Sequence, residues 1–315
     1  EKMAQPLRMR RSLLFAKVES TYNQDSSPDE TNDAVVVLDF DPGVEIDVNE
    51  RETKDLSIGQ GAERGGKARS NLSFSTELRG SGVAGDAPKG DDALFRMAGF
   101  LATNDPGVSH TYDPRSSGFE SSTIYANIDG VRHAITGCIA NLELALVAGE
   151  TAKCNWTVQA PFALPVDAAI PASQSPNATL PPVCKNMTVS LDGYTPKVHS
   201  ISFNLNNVIA ERPDLGSNHA IAGFALTNRN VDGEIVIEAV TRAEKDFWAS
   251  LNADSLVAMS IVLGSVAGNI ITITCPAVRF RQIQWGDQDA LATYTIPFQL
   301  PKTGSGNNEI QIVLT

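Results

Sequence analysis

Basic charge, cysteine, histidine, aromatic residues and long apolar runs are all in short supply in this chain, and each shortage removes a class of protein. Lys and Arg number 25 against 37 Asp and Glu, a formal net charge of −12. A surface that wraps nucleic acid needs clustered cations, so the charge balance argues against that role. The acidity serves solubility, and it also suits a surface that must not hold DNA. The four cysteines, Cys138, Cys154, Cys184 and Cys275, include no Cys-x-x-Cys pair. They make neither a disulfide framework nor a zinc ribbon, and a reducing compartment is the simpler reading. His110, His133, His199 and His219 are scattered, none three or four residues from another, so no metal site and no cofactor is expected.

Catalytic signatures are missing as well. There is no Gly-x-Ser-x-Gly elbow and no His–Cys pairing of the protease kind, so no enzyme is expected. Residues 80–85 fit Gly-x-Gly-x-x-Gly literally, but Asp86, Pro88 and Gly90 follow where a dinucleotide site needs a helix. Aromatics are only 6%, and Trp156, Trp248 and Trp285 lack the basic interleaving of a base-stacking platform; they read as core or interface anchors. The charge-free stretch between Asp254 and Arg279 is broken by Ser260, Gly264, Ser265, Gly268 and Asn269, so it predicts two strands around a glycine turn rather than a membrane span. No signal peptide is expected, since the apolar run at Leu13–Ala16 meets charge at Lys17.

What is present is globular: 315 residues, 42% apolar and 20% charged, with room for two units. Residues 1–33 read as an N-terminal arm with a basic start and loop signals near Pro28 and Asn32. Strand-like alternation begins at Ala34–Leu38, resumes at Val44, Ile46 and Val48, and returns at Leu72, Phe74, Thr76 and Leu78. Between Asn49 and Ser70 lies a polar, glycine-bearing stretch dense in both charges, which predicts a long surface loop. A short helix capped by Asp91 and ended by Gly99 should follow. Two strands around Asp129-Gly130 and a third over residues 152–160 complete the first unit, residues 34–162. Prolines 165, 171, 176, 181 and 182 mark residues 163–183 as a linker.

The second unit, residues 184–315, retraces that order. Strand signals appear at 187–191, 198–205 and 235–237. Thr241 and Glu244 form a capping box before Phe247, Trp248 and Leu251, and strands follow over 256–284 and 290–300. Eleven residues separate Cys138 from Gly149 and, equally, Cys275 from Gly286, which predicts equivalent strand-and-turn positions in two copies. The fold class expected is mainly β, a barrel or sandwich with one short flanking helix per copy. Such a chain reads as a building block. A carbohydrate-binding β module is the main rival outside that class, but it calls for an aromatic row that is not seen here.

Residues 11–22 (Arg-Ser-Leu-Leu-Phe-Ala-Lys-Val-Glu-Ser-Thr-Tyr) with Asp25, Pro28 and Asn32 resemble the opening of tail tube proteins from long-tailed bacteriophages. Residues 74–82, 84–88, 94–100, Tyr112-Asp113-Pro114, and Asp129-Gly130 with His133 are similar too. The resemblance implies rings whose inward strands join into a cylinder and stack into a tube in the virion tail, built in the host cytoplasm. Three chains would supply six quasi-equivalent units, six chains being the alternative. It also implies self-association, contact with tape measure, terminator and baseplate proteins, and DNA in transit only. A related single-ring tail protein is the alternative within the family. The arm and the loop residues Arg51, Glu52, Lys54, Asp55, Leu56, Glu63, Arg64 and Lys67 are the candidates to reach a neighbouring ring.

Overall fold

Period-two burial runs through the strands of the computed structural model, which describes residues 6–315 apart from 55, 57 and 305. The pattern is that of sheets with one solvated face. The first half contributes β1 (Ser12–Val18), β2 (Ala34–Val35), β3 (Asp39–Asn49), β4 (Arg64–Glu77), α1 (Asp91–Met97), β5 (Phe100–Asp105), β6 (Ser109–Pro114), β7 (Ser122–Ile128), β8 (Val131–Val147), β9 (Lys153–Pro161) and β10 (Val166–Asp167). The second contributes β11 (Thr188–Leu191), β12 (Val198–Asn204), β13 (Asn207–Pro213), β14 (Ile221–Arg229), β15 (Asp232–Glu238), α2 (Phe247–Asn252), β16 (Val257–Leu263), β17 (Ile271–Phe280), β18 (Gln284–Gln288), β19 (Leu291–Gln299) and β20 (Gln311–Leu314). The protein is mainly β, with two short helices among the described residues.

Pairing among the described strands is antiparallel and arranges eighteen of them in three joined sheets, β13 and β14 standing apart as a pair. One runs β2-β1-β7-β8-β10. A second runs β3-β4-β9-β8-β12-β15-β19-β18. The third runs β11-β16-β17-β20-β6-β5. β8 belongs to two of them because a bulge near Gly137 bends it out of the first sheet and into the second. The main apolar cluster lies between the layers, with two small ones beside it, around Phe224 and around Phe15. It takes Leu14 and Ile124 from one sheet, Leu72 and Trp156 from the next, and Ile261 and Ile312 from the third.

Two strand pairs stitch the halves together. β8 pairs with β12, Leu144 opposite Phe203, and the C-terminal strand β20 pairs with β6, Ile312 opposite Tyr112. The proline-rich segment is tied down too: Ser175 N–H donates to Glu30 O at 2.9 Å and Asn177 Nδ2 to Gly80 O at 2.8 Å.

Several local expectations are corrected. The stretch read as an arm contains β1, whose Leu14, Phe15 and Ala16 are buried; its alternation is short and masked by the basic residues before it. Asp91 does not cap α1. The cap position is Gly90, and Asp91 is turned inward with Oδ2 3.7 Å from Arg79 Nε. α2 starts later than the Thr241/Glu244 box implied, at Phe247, because Asp246 accepts from Ala249 N–H and wins as cap. Between residues 205 and 235, where the sequence predicts no strand, the chain forms a two-stranded hairpin, β13–β14.

The hairpins β7–β8 and β16–β17 break register at the same place. Ile124 faces Ile135 and Ser122 faces Cys138, so one strand takes three steps against two. Met259 faces Cys275 and Val257 faces Val278 in the same way. Beyond the bulges, Ile139 faces Gln159 in β9 and Arg279 faces Gln299 in β19. The backbone bonds Leu78 N–H to Ala152 O and Ala239 N–H to Ala292 O, each 2.9 Å, extend the correspondence. In this register Cys275 stands where Ile135 stands, and Val278 is the counterpart of Cys138. The equal cysteine-to-glycine spacing was coincidental. Gly149 is a turn residue with φ +84, whereas Gly286 lies inside β18 opposite Thr293 and the turn falls at Asp289-Ala290.

Candidate assembly surface

The eight-stranded sheet has one apolar and one polar face, as its alternation demands. Leu72, Phe74, Leu142, Leu144, Trp156 and Val158 point into the core. Their neighbours along the strands, among them Ser73, Ser75, Asn141, Glu143, Asn155 and Thr157, point the other way. The second half continues that polar face with Ser200, Ser202, Asp232, Glu234 and Thr295. Carboxylates outnumber cations on it, Lys153 being one of its few ammonium groups. A phosphate backbone meets repulsion there and no string of cations on which to release counterions.

Both edges of this sheet are open among the described residues. β3 pairs only with β4, and β18 only with β19. An open edge presents unpaired N–H and C=O groups, the template for adding another strand. Trp285 on β18 is 65% exposed yet leans on Tyr294, with ring centroids 4.8 Å apart. Trp156, by contrast, is core, its Nε1 donating to Thr76 Oγ1.

The β3–β4 hairpin outruns the sheet. Its pairing extends to Asn49 opposite Arg64, while β9 stops at Pro161 opposite Arg69. On the projecting part Ile46 and Val48 continue an exposed apolar stripe that starts at Val44, where β9 still lies alongside, and the connecting loop leaves after Asn49 and returns at Arg64. Arg51, Glu52, Lys54, Leu56 and Glu63 lie exposed in that loop; Asp55 is outside the described residues. Arg64 and Lys67 are not loop residues. Both sit on β4, where the pattern was hidden by Gly65, Gly66 and charge.

Lys67 forms an ion pair with Glu211 of β13, and Arg69 reaches Glu211 at 3.2 Å, Asp47 at 3.0 Å and Glu45. The hydrogen bond from Arg69 holds the Glu45 carboxyl below its ordinary range. This charged lattice braces the root of the projecting hairpin against β13–β14, and no local sequence signal announces it.

Burial explains the remaining candidate chemistry. All four cysteines are free and buried, and burial pushes every thiol up, away from the reactive thiolate. His110 is buried against Asp92, Nε2 to Oδ1 at 3.2 Å, and Tyr112 Oη donates to the same oxygen. Burial works to raise Asp92, yet His110 and Arg96 hold it below the usual range. Among the described residues no His, Cys, Asp or Glu group is arranged to hold a metal ion, and no helix is long and apolar enough to cross a membrane.

A protein-family model described as phage tail tube protein matches residues 9–309. No curated protein matches the chain significantly.

Proposed function

The chain belongs to the phage tail tube protein family, and we propose that this structural tail component self-assembles into closed rings that stack as a hollow tube for DNA. The observation that carries the reading is the eight-stranded sheet with one acidic polar face and two open edges. A sheet of that kind closed around an axis loses its edges and offers its polar side to the channel. Two units, residues 34–162 and 184–315 linked by 163–183, act as quasi-equivalent copies of one tube unit. The matching bulges and cross-strand pairs in β7–β8 and β16–β17 support that duplication. Three chains per ring then supply six units under closed cyclic symmetry.

Stacking falls to the projecting β3–β4 hairpin. Its exposed Val44, Ile46 and Val48, with Arg51, Glu52, Lys54, Leu56 and Glu63 at the tip, form a surface that the chain itself leaves uncovered. The exposed residues before β1 are a second candidate for contact between rings. DNA passes without being specifically bound, tape measure, terminator and baseplate proteins meet the tube at its ends, and assembly takes place in the host cytoplasm. The protein is not an enzyme in this reading and uses no cofactor. Negative-stain imaging of the purified chain tests it: long hollow tubes are expected, isolated rings would point to a single-ring tail protein, and monomers at high concentration would refute self-assembly.

A further inference from the structure

The junction inside the chain specifies the junction between chains. β8 meets β12 with Val147 opposite Ser200, Leu146 opposite Ile201, Ala145 opposite Ser202, Leu144 opposite Phe203 and Glu143 opposite Asn204. The backbone bonds Leu205 N–H to Leu142 O, 3.1 Å, and Ala148 N–H to His199 O, 2.9 Å, frame it. Each strand of this junction has a counterpart at a free edge. β12 lies beside β15 as β3 lies beside β4: Ile201 faces Ile235 and Phe40 faces Phe74. β8 lies beside β9 as β18 lies beside β19: Leu144 faces Cys154 and Trp285 faces Tyr294. The counterpart of Phe203 is then Pro42, and that of Leu144 is Trp285.

We propose that β18 of one copy pairs antiparallel with β3 of a second copy in this register, with Trp285 opposite Pro42, Asp287 opposite Phe40, Gly286 opposite Asp41 and Gln288 opposite Asp39. The proposal rests on the ring reading above and adds its partner surface and register. The side chains agree with it. Leu144 is buried by its internal neighbour strand, whereas the equivalent Trp285 is left 65% exposed, an aromatic anchor without a lid. Phe40, on the facing edge, is half-buried against the core and would share that lid. No like charges oppose one another in this register, while a one-residue slip would set Asp41 against Asp287. Pro42 removes one N–H from the free edge, a feature that discourages indiscriminate strand addition while leaving its carbonyl to accept from Trp285 N–H.

Engineered cysteines test the register, since the native thiols are buried and silent. Asp39→Cys with Gln288→Cys places two exposed polar-face positions directly opposite, within disulfide reach; Asp41→Cys with Gln288→Cys is the diagonal control. Mild oxidation of assembled protein is expected to link the first pair into covalent multimers at least ~10-fold more than the control. Trp285→Ala in the first background, with circular dichroism unchanged, is expected to lower that yield about 10-fold as well; an unchanged yield overturns the anchor role. Rings that crosslink only through the control, or through neither pair, overturn the register while the ring reading stands. Failure of the unaltered chain to form rings removes both.

Discussion

The backbone N–H of Gly137 donates to Glu19 Oε1 at 2.7 Å, tying the end of β1 to the bulge that carries β8 from one sheet to the other. The same carboxylate accepts from Thr123 Oγ1, Ser121 Oγ and Asn23 N–H, so both oxygens are fully used in a buried site. Glu19→Gln would set an amide N–H₂ against one of those donors. Because buried donors left without an acceptor carry their full desolvation cost, the loss should be roughly 2–3 kcal/mol, read from the shift in urea midpoint. An unchanged midpoint would show that the bulge is held by packing alone.

Trp156 and Thr76 make the second test. The indole Nε1 donates to Thr76 Oγ1 at 2.9 Å within the core, between β9 and β4. Thr76→Val keeps the shape and removes the acceptor, so about 1–3 kcal/mol should be lost. Thermal melting of the purified variant decides it, and a stabilised variant would mean that the indole finds another partner.

Asp91 should make stability fall with rising pH. Burial raises its carboxyl from 3.8 to about 7, opposed by Arg79 nearby. A group with a raised folded pKa stabilises fully below its unfolded pKa and loses that contribution as pH rises through the folded value, here between about pH 4 and pH 7. Each unit of displacement corresponds to ~1.4 kcal/mol. Urea unfolding at pH 4.5 and pH 7 should therefore show a smaller difference for Asp91→Asn than for the natural chain, and equal differences would contradict the assignment.

Removing the hairpin tip should separate folding from stacking. A deletion of residues 51–62 spares β3 and β4, whereas a cut reaching Lys67 would take strand residues and the ion pair to Glu211. The shortened chain should keep its melting temperature and form rings but not tubes. Normal tubes in negative stain would sink the role given to this loop.

Which segments alternate, where Asp129-Gly130 turns, and the mainly β character of the fold were legible in the linear chain. Those features depend on side-chain period and on residues a few positions apart. What each strand lies beside emerged only with the folded chain. The passage of β8 between sheets, the like register breaks after Ile135 and Cys275, the inclusion of β1 and Arg64 in sheets, and the Glu19 and Arg69 networks all join residues far apart in the chain. The cap of α2 at Asp246 is nearer in sequence, but two competing acceptors were available and backbone geometry chose between them. Strand register is fixed by contacts across space, so a linear pattern names the strands and leaves their partners to the folded protein.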